Sequence, residues 1–178
     1  VDAYGYDGTY LWSYECGFDL NCVTWDGTDW YALGRWGELM KVSGVDNTTM
    51  LWYGATDYSN ASTYAKVSNG YIYVTGYGWG DNYYGLYVNK INATTGASVW
   101  LHHLDCTSSK NIWQWYWFTH KDIDVNPAGT HFAVSGYGQT LASTHPYYGV
   151  AAKLPTDGSY IGVYGDPNAV FDGYTYII

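Results

Sequence analysis

One phrase recurs along this chain, and a repeat decides the architecture before any single residue can be interpreted. Its second copy runs Val67-Ser-Asn-Gly-Tyr-Ile-Tyr-Val-Thr-Gly76, crosses a polar and aromatic stretch, and resumes as Val88-Asn-Lys-Ile-Asn-Ala-Thr-Thr-Gly-Ala-Ser-Val-Trp100. The third runs Val125-Asn-Pro-Ala-Gly-Thr-His-Phe-Ala-Val-Ser-Gly136 and then Val150-Ala-Ala-Lys-Leu-Pro-Thr-Asp-Gly158. The first runs Val23-Thr-Trp-Asp-Gly-Thr-Asp-Trp-Tyr-Ala-Leu-Gly34, then Leu39-Met-Lys-Val42 and Met50-Leu-Trp52. A fourth copy, to which Trp12 belongs, is cut short at the N-terminus. Val1 falls just after the place where the other copies put their Lys, so the chain reads as an excerpt or a processed product.

Each copy contains a segment of alternating β-branched, aromatic and small residues that ends in Gly, which is the pattern of a strand. A second strand is expected around Lys41, Lys90 and Lys153. A turn follows, written Asp46-Asn-Thr-Thr49, Ala93-Thr-Thr-Gly96 or Thr156-Asp-Gly158, whose side chains bond locally and tolerate positive φ. A last strand carries Trp52 or Trp100. The anchor residues Gly34, Gly76 and Gly136 are 42 and 60 residues apart, and an insertion near residues 107–119 explains the longer interval. A period near 42 residues with three or four strands is a propeller signature. The expected fold is therefore all-β, with propeller-like antiparallel blades in three full repeats plus one partial.

The expected organisation is a truncated preceding repeat over 1–20, repeat 1 over 21–58 and repeat 2 over 59–106. The aromatic insertion over 107–119, repeat 3 over 120–166 and a C-terminal strand or linker over 167–178 complete it. Three units and a part are too few for an ordinary closed ring of 4–8 blades. Further blades outside these residues, or open edges that pair with another chain, would meet that shortfall.

Composition narrows the partners. Sixteen acidic residues stand against seven basic ones, a formal charge of −9, which disfavours a phosphate backbone and so nucleic acid. No apolar run approaches the roughly 18 residues that span a bilayer, so no membrane insertion is expected. Cys16, Cys22 and Cys106 are an odd set and are expected as buried or half-buried thiols, although a Cys16–Cys22 bond is sterically conceivable. Sequons occur at Asn47, Asn60 and Asn92; two of them occupy equivalent turns, which the repeat alone explains.

The phrase Asn69-Gly-Tyr-Ile-Tyr-Val-Thr-Gly76 resembles the "NVYVTG" core of SBBP-type seven-bladed β-propeller repeats. Lys90-Ile-Asn-Ala-Thr-Thr-Gly96 with Trp100 resembles their "KLDSSGNLQW" turn. Ala152-Lys-Leu-Pro-Thr-Asp-Gly-Ser159, followed by Gly162 and Tyr164-Gly165, is similar to a segment of large virion proteins of marine bacteriophages. Together these matches span about residues 20 to 166. The resemblance implies a structural or host-recognition component of a phage tail or adhesin, located in the virion or outside the cell. It implies partners that are copies of itself, other virion proteins or a surface glycan, and it carries over no catalytic residue. The chain departs from the pattern in its short first repeat and its wealth of Tyr and Trp.

Aromatics make up 20% of the chain, with 22 Tyr and 10 Trp, and supply the candidate contacts. Trp113, Trp115 and Trp117 form the densest group, inside the insertion, where exposed indoles would stack on sugar rings. Their alternate spacing equally suits a strand that buries one face. Tyr77, Trp79, Tyr83 and Tyr84 are expected in the inter-strand loop of repeat 2, and Tyr137, Tyr147 and Tyr148 in the matching loop of repeat 3. The ligand-binding set is therefore Trp79, Tyr83, Tyr84, Trp113, Trp115, Trp117, Tyr147 and Tyr148. The competing role for these loops is ordinary packing.

No metal site is expected from the five His, which lack zinc spacing. No cofactor is expected, with calcium on the turn residues Asp2, Asp7, Asp26, Asp29 and Asp46 the one ion the chemistry admits. The chain has no Gly-x-Ser-x-Gly elbow and no phosphate loop, and only the pair Asp122 and Asp124 has the chemistry of a glycosidase. It is expected not to be an enzyme. The alternative to the phage reading is a secreted or cell-surface carbohydrate-binding propeller repeat.

Overall fold

The computed structural model describes residues 1–56, 62–80, 83–104, 115–140, 147–158 and 176–177. Every regular element among them is a strand. β1 (Asp2–Tyr4) and β2 (Tyr10–Ser13) form a two-stranded half-blade. β3 (Leu20–Trp25), β4 (Trp30–Gly34), β5 (Glu38–Val42) and β6 (Met50–Ala55) form blade 1. β7 (Ser62–Ser68), β8 (Tyr71–Gly80), β9 (Tyr83–Asn92) and β10 (Ser98–Leu104) form blade 2. β11 (Trp115–Val125), β12 (His131–Thr140), β13 (Tyr147–Pro155) and β14 (Tyr176–Ile177) form blade 3. Each blade is an antiparallel meander of consecutive strands.

The repeated phrase becomes a repeated register. Tyr31, Lys41 and Trp52 lie opposite one another across blade 1, and Tyr73, Lys90 and Trp100 do so across blade 2. In the half-blade Ala3 lies opposite Trp12, so Ala3 takes the lysine position. That corrects the expectation for Val1, which stands two residues before that place; a bare sequence alignment has no Lys there to count from.

The blades stack face to face. Tyr31, Leu33 and Leu39 of blade 1 pack with Val67, Ile72, Val74, Tyr87, Ile91 and Ala93 of blade 2. The other side of blade 2 packs Tyr73 and Val88 against Ile123, Val125, Phe132 and Val134 of blade 3. Alternation therefore sends neighbouring residues of β8 to different blades, and its central residues are buried on both faces. Each aliphatic side chain so buried is worth about 1.5–3 kcal/mol.

Cys22 Sγ accepts the amide of Ala65 at 3.3 Å, and Lys66 pairs with Asp124 at 3.0 Å, so the first strands β3, β7 and β11 run side by side. The last strands, β2, β6, β10 and β14, are then the outward edges. Cys16 and Cys22 are free thiols, not bonded to each other, and burial raises the pKa of both. Cys106 lies outside the described residues.

The two-stranded half-blade leaves part of blade 1 bare. Val67, Ile123 and Val125 on the first strands of blades 2 and 3 are buried, while Val23 and Trp25 on β3 are 37% and 40% exposed. An apolar cleft lined by Trp12, Tyr14, Val23, Trp30, Ala32 and Met40 opens at the same place.

Candidate functional site at the aromatic end of the blades

The turn after the second strand of each blade defines one end of the molecule. The opposite end holds the other turns, where Gly129 of blade 3 closely approaches Asn69 of blade 2 and fixes the relative direction of the blades. Residues 77–80 and 83–86 were expected as a loop; instead they extend the hairpin β8–β9. Tyr77 lies opposite Leu86, Trp79 opposite Tyr84 and Gly80 opposite Tyr83. The cause is the antiparallel ladder, which continues through Gly-rich aromatic sequence once each amide has a partner.

Blade 3 repeats this at the same end. Trp115 and Trp117 stand in β11, the blade's own first strand and not an added one, opposite Thr140 and Gln139 with a bulge between them. Gln139 also lies opposite Tyr147, and Gly138 opposite Tyr148. Trp117, Gln139 and Tyr147 thus share one row across three strands. Tyr137 stands in β12, opposite Thr119 and Gly149. Trp113 lies outside the described residues.

Sequence reasoning missed the contribution of blade 1. Its turn at this end carries Trp36, 53% exposed, with the Arg35 guanidinium 5.1 Å from the ring centroid. The Trp36 amide donates to Glu38 Oε2 at 2.9 Å, which ties the turn to β5. The signal was present: Arg35 follows the anchor Gly34 as Tyr77 follows Gly76 and Tyr137 follows Gly136. Three successive blades thereby place aromatic residues at one end.

The candidate calcium ligands are turn caps at the other end or in the half-blade. Asp26 Oδ1 accepts the amides of Thr28 and Asp29 at 2.7 Å each, and its Oδ2 accepts the Tyr31 hydroxyl at 2.7 Å. Partial burial pushes the Asp26 carboxyl up, but those hydrogen bonds outweigh it and hold its pKa below the ordinary value. Burial and the Asp26 bond raise the pKa of Tyr31. Asp29 accepts the Gly44 amide and pairs with Lys41 at 3.0 Å. Asp46 takes the Thr49 hydroxyl and the amides of Thr48 and Thr49, and those bonds hold its pKa at about 2. Asp7 caps Thr9, and Asp2 sits in β1. Among the described residues no three His, Cys, Asp or Glu come together as a metal site.

The acidic pair on β11 is also engaged. Asp124 holds Lys66, and Asp122 Oδ1 accepts the amide of Ile123 at 2.8 Å. Of the sequon residues, Asn47 accepts the Trp30 indole N–H, and Asn92 caps Thr94 and Thr95. Asn60 lies outside the described residues.

Solved structures of the same build exist. Hydrazine synthase of Kuenenia stuttgartiensis is similar over 75% of this chain at a TM-score of 0.56 and 13% identity. BamB of Moraxella catarrhalis is similar over 84% of this chain at a TM-score of 0.51 and 12% identity. The likeness is to propeller-like proteins, and it is one of fold. This chain covers only 38% of the first protein and 54% of the second. No protein-family model matches it, and no curated protein matches its sequence.

Proposed function

We propose that this chain is a non-enzymatic recognition and assembly component whose aromatic end contacts a surface glycan. One observation carries the reading: the strand register brings Trp79, Tyr83, Tyr84, Trp115, Trp117, Tyr147 and Tyr148 to the end that also exposes Trp36. Indole and phenol rings combine an apolar face with a polar handle, which suits the C–H faces and hydroxyls of a sugar. The setting proposed is the tail or an adhesin of a bacteriophage particle, on the resemblance of residues 20–166 to SBBP-type and phage virion sequences. The non-enzymatic part rests on Asp122 and Asp124, whose carboxylates are engaged by Ile123 and Lys66.

A glycan array with the folded chain tests the reading, alongside Trp36→Ala and Trp115→Ala. Selective binding that both variants lose, with near-UV circular dichroism otherwise preserved, is the expected result. Silence from a well-folded sample would remove the glycan partner.

A further inference from the structure

We propose that the open face between β1 and β3 is a docking surface for a β-hairpin of another polypeptide, neutral or basic, which completes the half-blade. This rests on the assembly part of the reading above and names its class of partner; it does not depend on the glycan part.

The register shows which strands the half-blade lacks. Ala3 lies opposite Trp12 as Lys41 lies opposite Trp52 and Lys90 opposite Trp100, so β1 and β2 are a third and a fourth strand. Val1 exchanges both backbone hydrogen bonds with Tyr14 and so takes the position of Leu39, which lies opposite Gly54. In blades 1 and 2 the other side of the third strand pairs with the second strand, β4 or β8. No described strand pairs with that side of β1.

The two complete seams show what belongs there. Between blades 1 and 2, Tyr31 and Leu33 of the second strand and Leu39 of the third cover Val67 on the first strand of the next blade. Between blades 2 and 3, Tyr73 of the second strand and Val88 of the third cover Ile123 and Val125. In front of β3 only the third-strand residue is present: Val1, with Trp12, Trp30 and Met40, lines the apolar cleft beside Val23. By register Val23 and Trp25 correspond to Ile123 and Val125. They are nevertheless 37% and 40% exposed, against 3% and 8%. The missing contact is that of a second strand with a large aromatic at the Tyr31 position. The vacancy continues a seam already formed, because Tyr14, Cys16 and Phe18 pack against Ala32, Met40 and Val42 beside it. A hairpin fills it by strand addition, its backbone on the free edge of β1 and its aromatic on Val23 and Trp25.

Charge narrows the source. Residues 1–56 hold eight acidic residues and two basic ones. A second copy of this chain, at −9, is repelled from such a surface, whereas a neutral or basic hairpin is not.

A synthetic peptide of residues 62–76 serves as the probe, titrated into the chain and followed by anisotropy of a label on the peptide. It spans a first and a second strand, carries one Lys and no acidic residue, and turns at Asn69-Gly70, both at positive φ as a two-residue hairpin requires. Saturable one-to-one binding is expected, weakened about tenfold or more by Tyr73→Ala in the peptide or Val23→Glu in the chain. Val23 is partly exposed, so the variant should fold, and circular dichroism checks it. Hydrogen exchange should show β1 amides gaining protection in the complex. Absence of binding, binding indifferent to Val23→Glu, or protection confined to β6 and β10 overturns the proposal. So does a dimer of the chain that Val23→Glu dissociates in sedimentation velocity, because a second copy would then be the occupant. Glycan binding by the Val23→Glu chain keeps the two readings apart, since it survives failure of the hairpin site.

Discussion

At the scale of single residues, equivalent positions keep their chemistry while changing partners. Lys41 forms an ion pair with Asp29 and lies 5.3 Å from the Tyr31 ring centroid. Lys90 occupies the same register position, but Tyr71 stands where blade 1 has Asp29. Lys90 therefore sits 4.1 Å from the Tyr71 ring and donates to Thr156 O of blade 3 at 2.8 Å. A cation–π contact and a backbone acceptor replace the carboxylate. The turn aspartates were legible as turn formers, because an Asx cap is made within a few residues. They also set a pH dependence. Hydrogen bonding depresses the pKa of Asp46 to about 2, and Asp26 and Asp7 are lowered too. A depressed carboxylate contributes stability above its unfolded pKa near 4 and loses it as pH falls through the folded value. Thermal melts should therefore drop in midpoint between about pH 4 and pH 2. Asp46→Asn should flatten part of that limb, and an unchanged limb would remove Asp46 from the account.

At the scale of elements, the repeated Trp is an inter-blade tie. Trp52 donates its indole N–H to Ala93 O of blade 2 at 3.2 Å, and Trp100 donates to Thr156 O of blade 3 at 3.3 Å. Each bond is worth about 1 kcal/mol, well below the buried seam it borders. It sets register more than it supplies stability. Gly96 closes this contact at φ +73°, where an added Cβ would stand 3.1 Å from the Trp52 ring. Gly96→Ala should destabilise the chain by about 1–2 kcal/mol, read from the denaturant midpoint. A neutral result would mean the turn shifts freely and the tie does not constrain it. The repeat pointed to a strand at Trp52 and Trp100, yet not to the acceptor, which belongs to another blade 41 or 56 residues away. The long hairpin β8–β9 was also missed, because Gly, Tyr and Trp between residues 77 and 86 read equally as loop until a partner strand is in place.

At the scale of the whole molecule, blade 2 is the one covered on both faces by described blades, and its central strands should be the most protected. Amides of residues 72–75 and 88–91 should exchange slowest by native-state hydrogen exchange, and those of β3 and β6 faster. Slower exchange in β3 than in β8 would contradict the stacking order. The sequence by itself determined the all-β class, the four-copy rhythm and the turns, because strand alternation and Asx caps act over a few residues. It also placed the aromatic residues of blades 2 and 3 at matching points of the repeat. Only the tertiary structure decided that Trp36 joins them, that Val23 and Trp25 stay open while Val67 is covered, and that the last strands face outward uncharged. Those outcomes depend on which blade lies against which, and residues far apart in the chain meet only when the sheets stack.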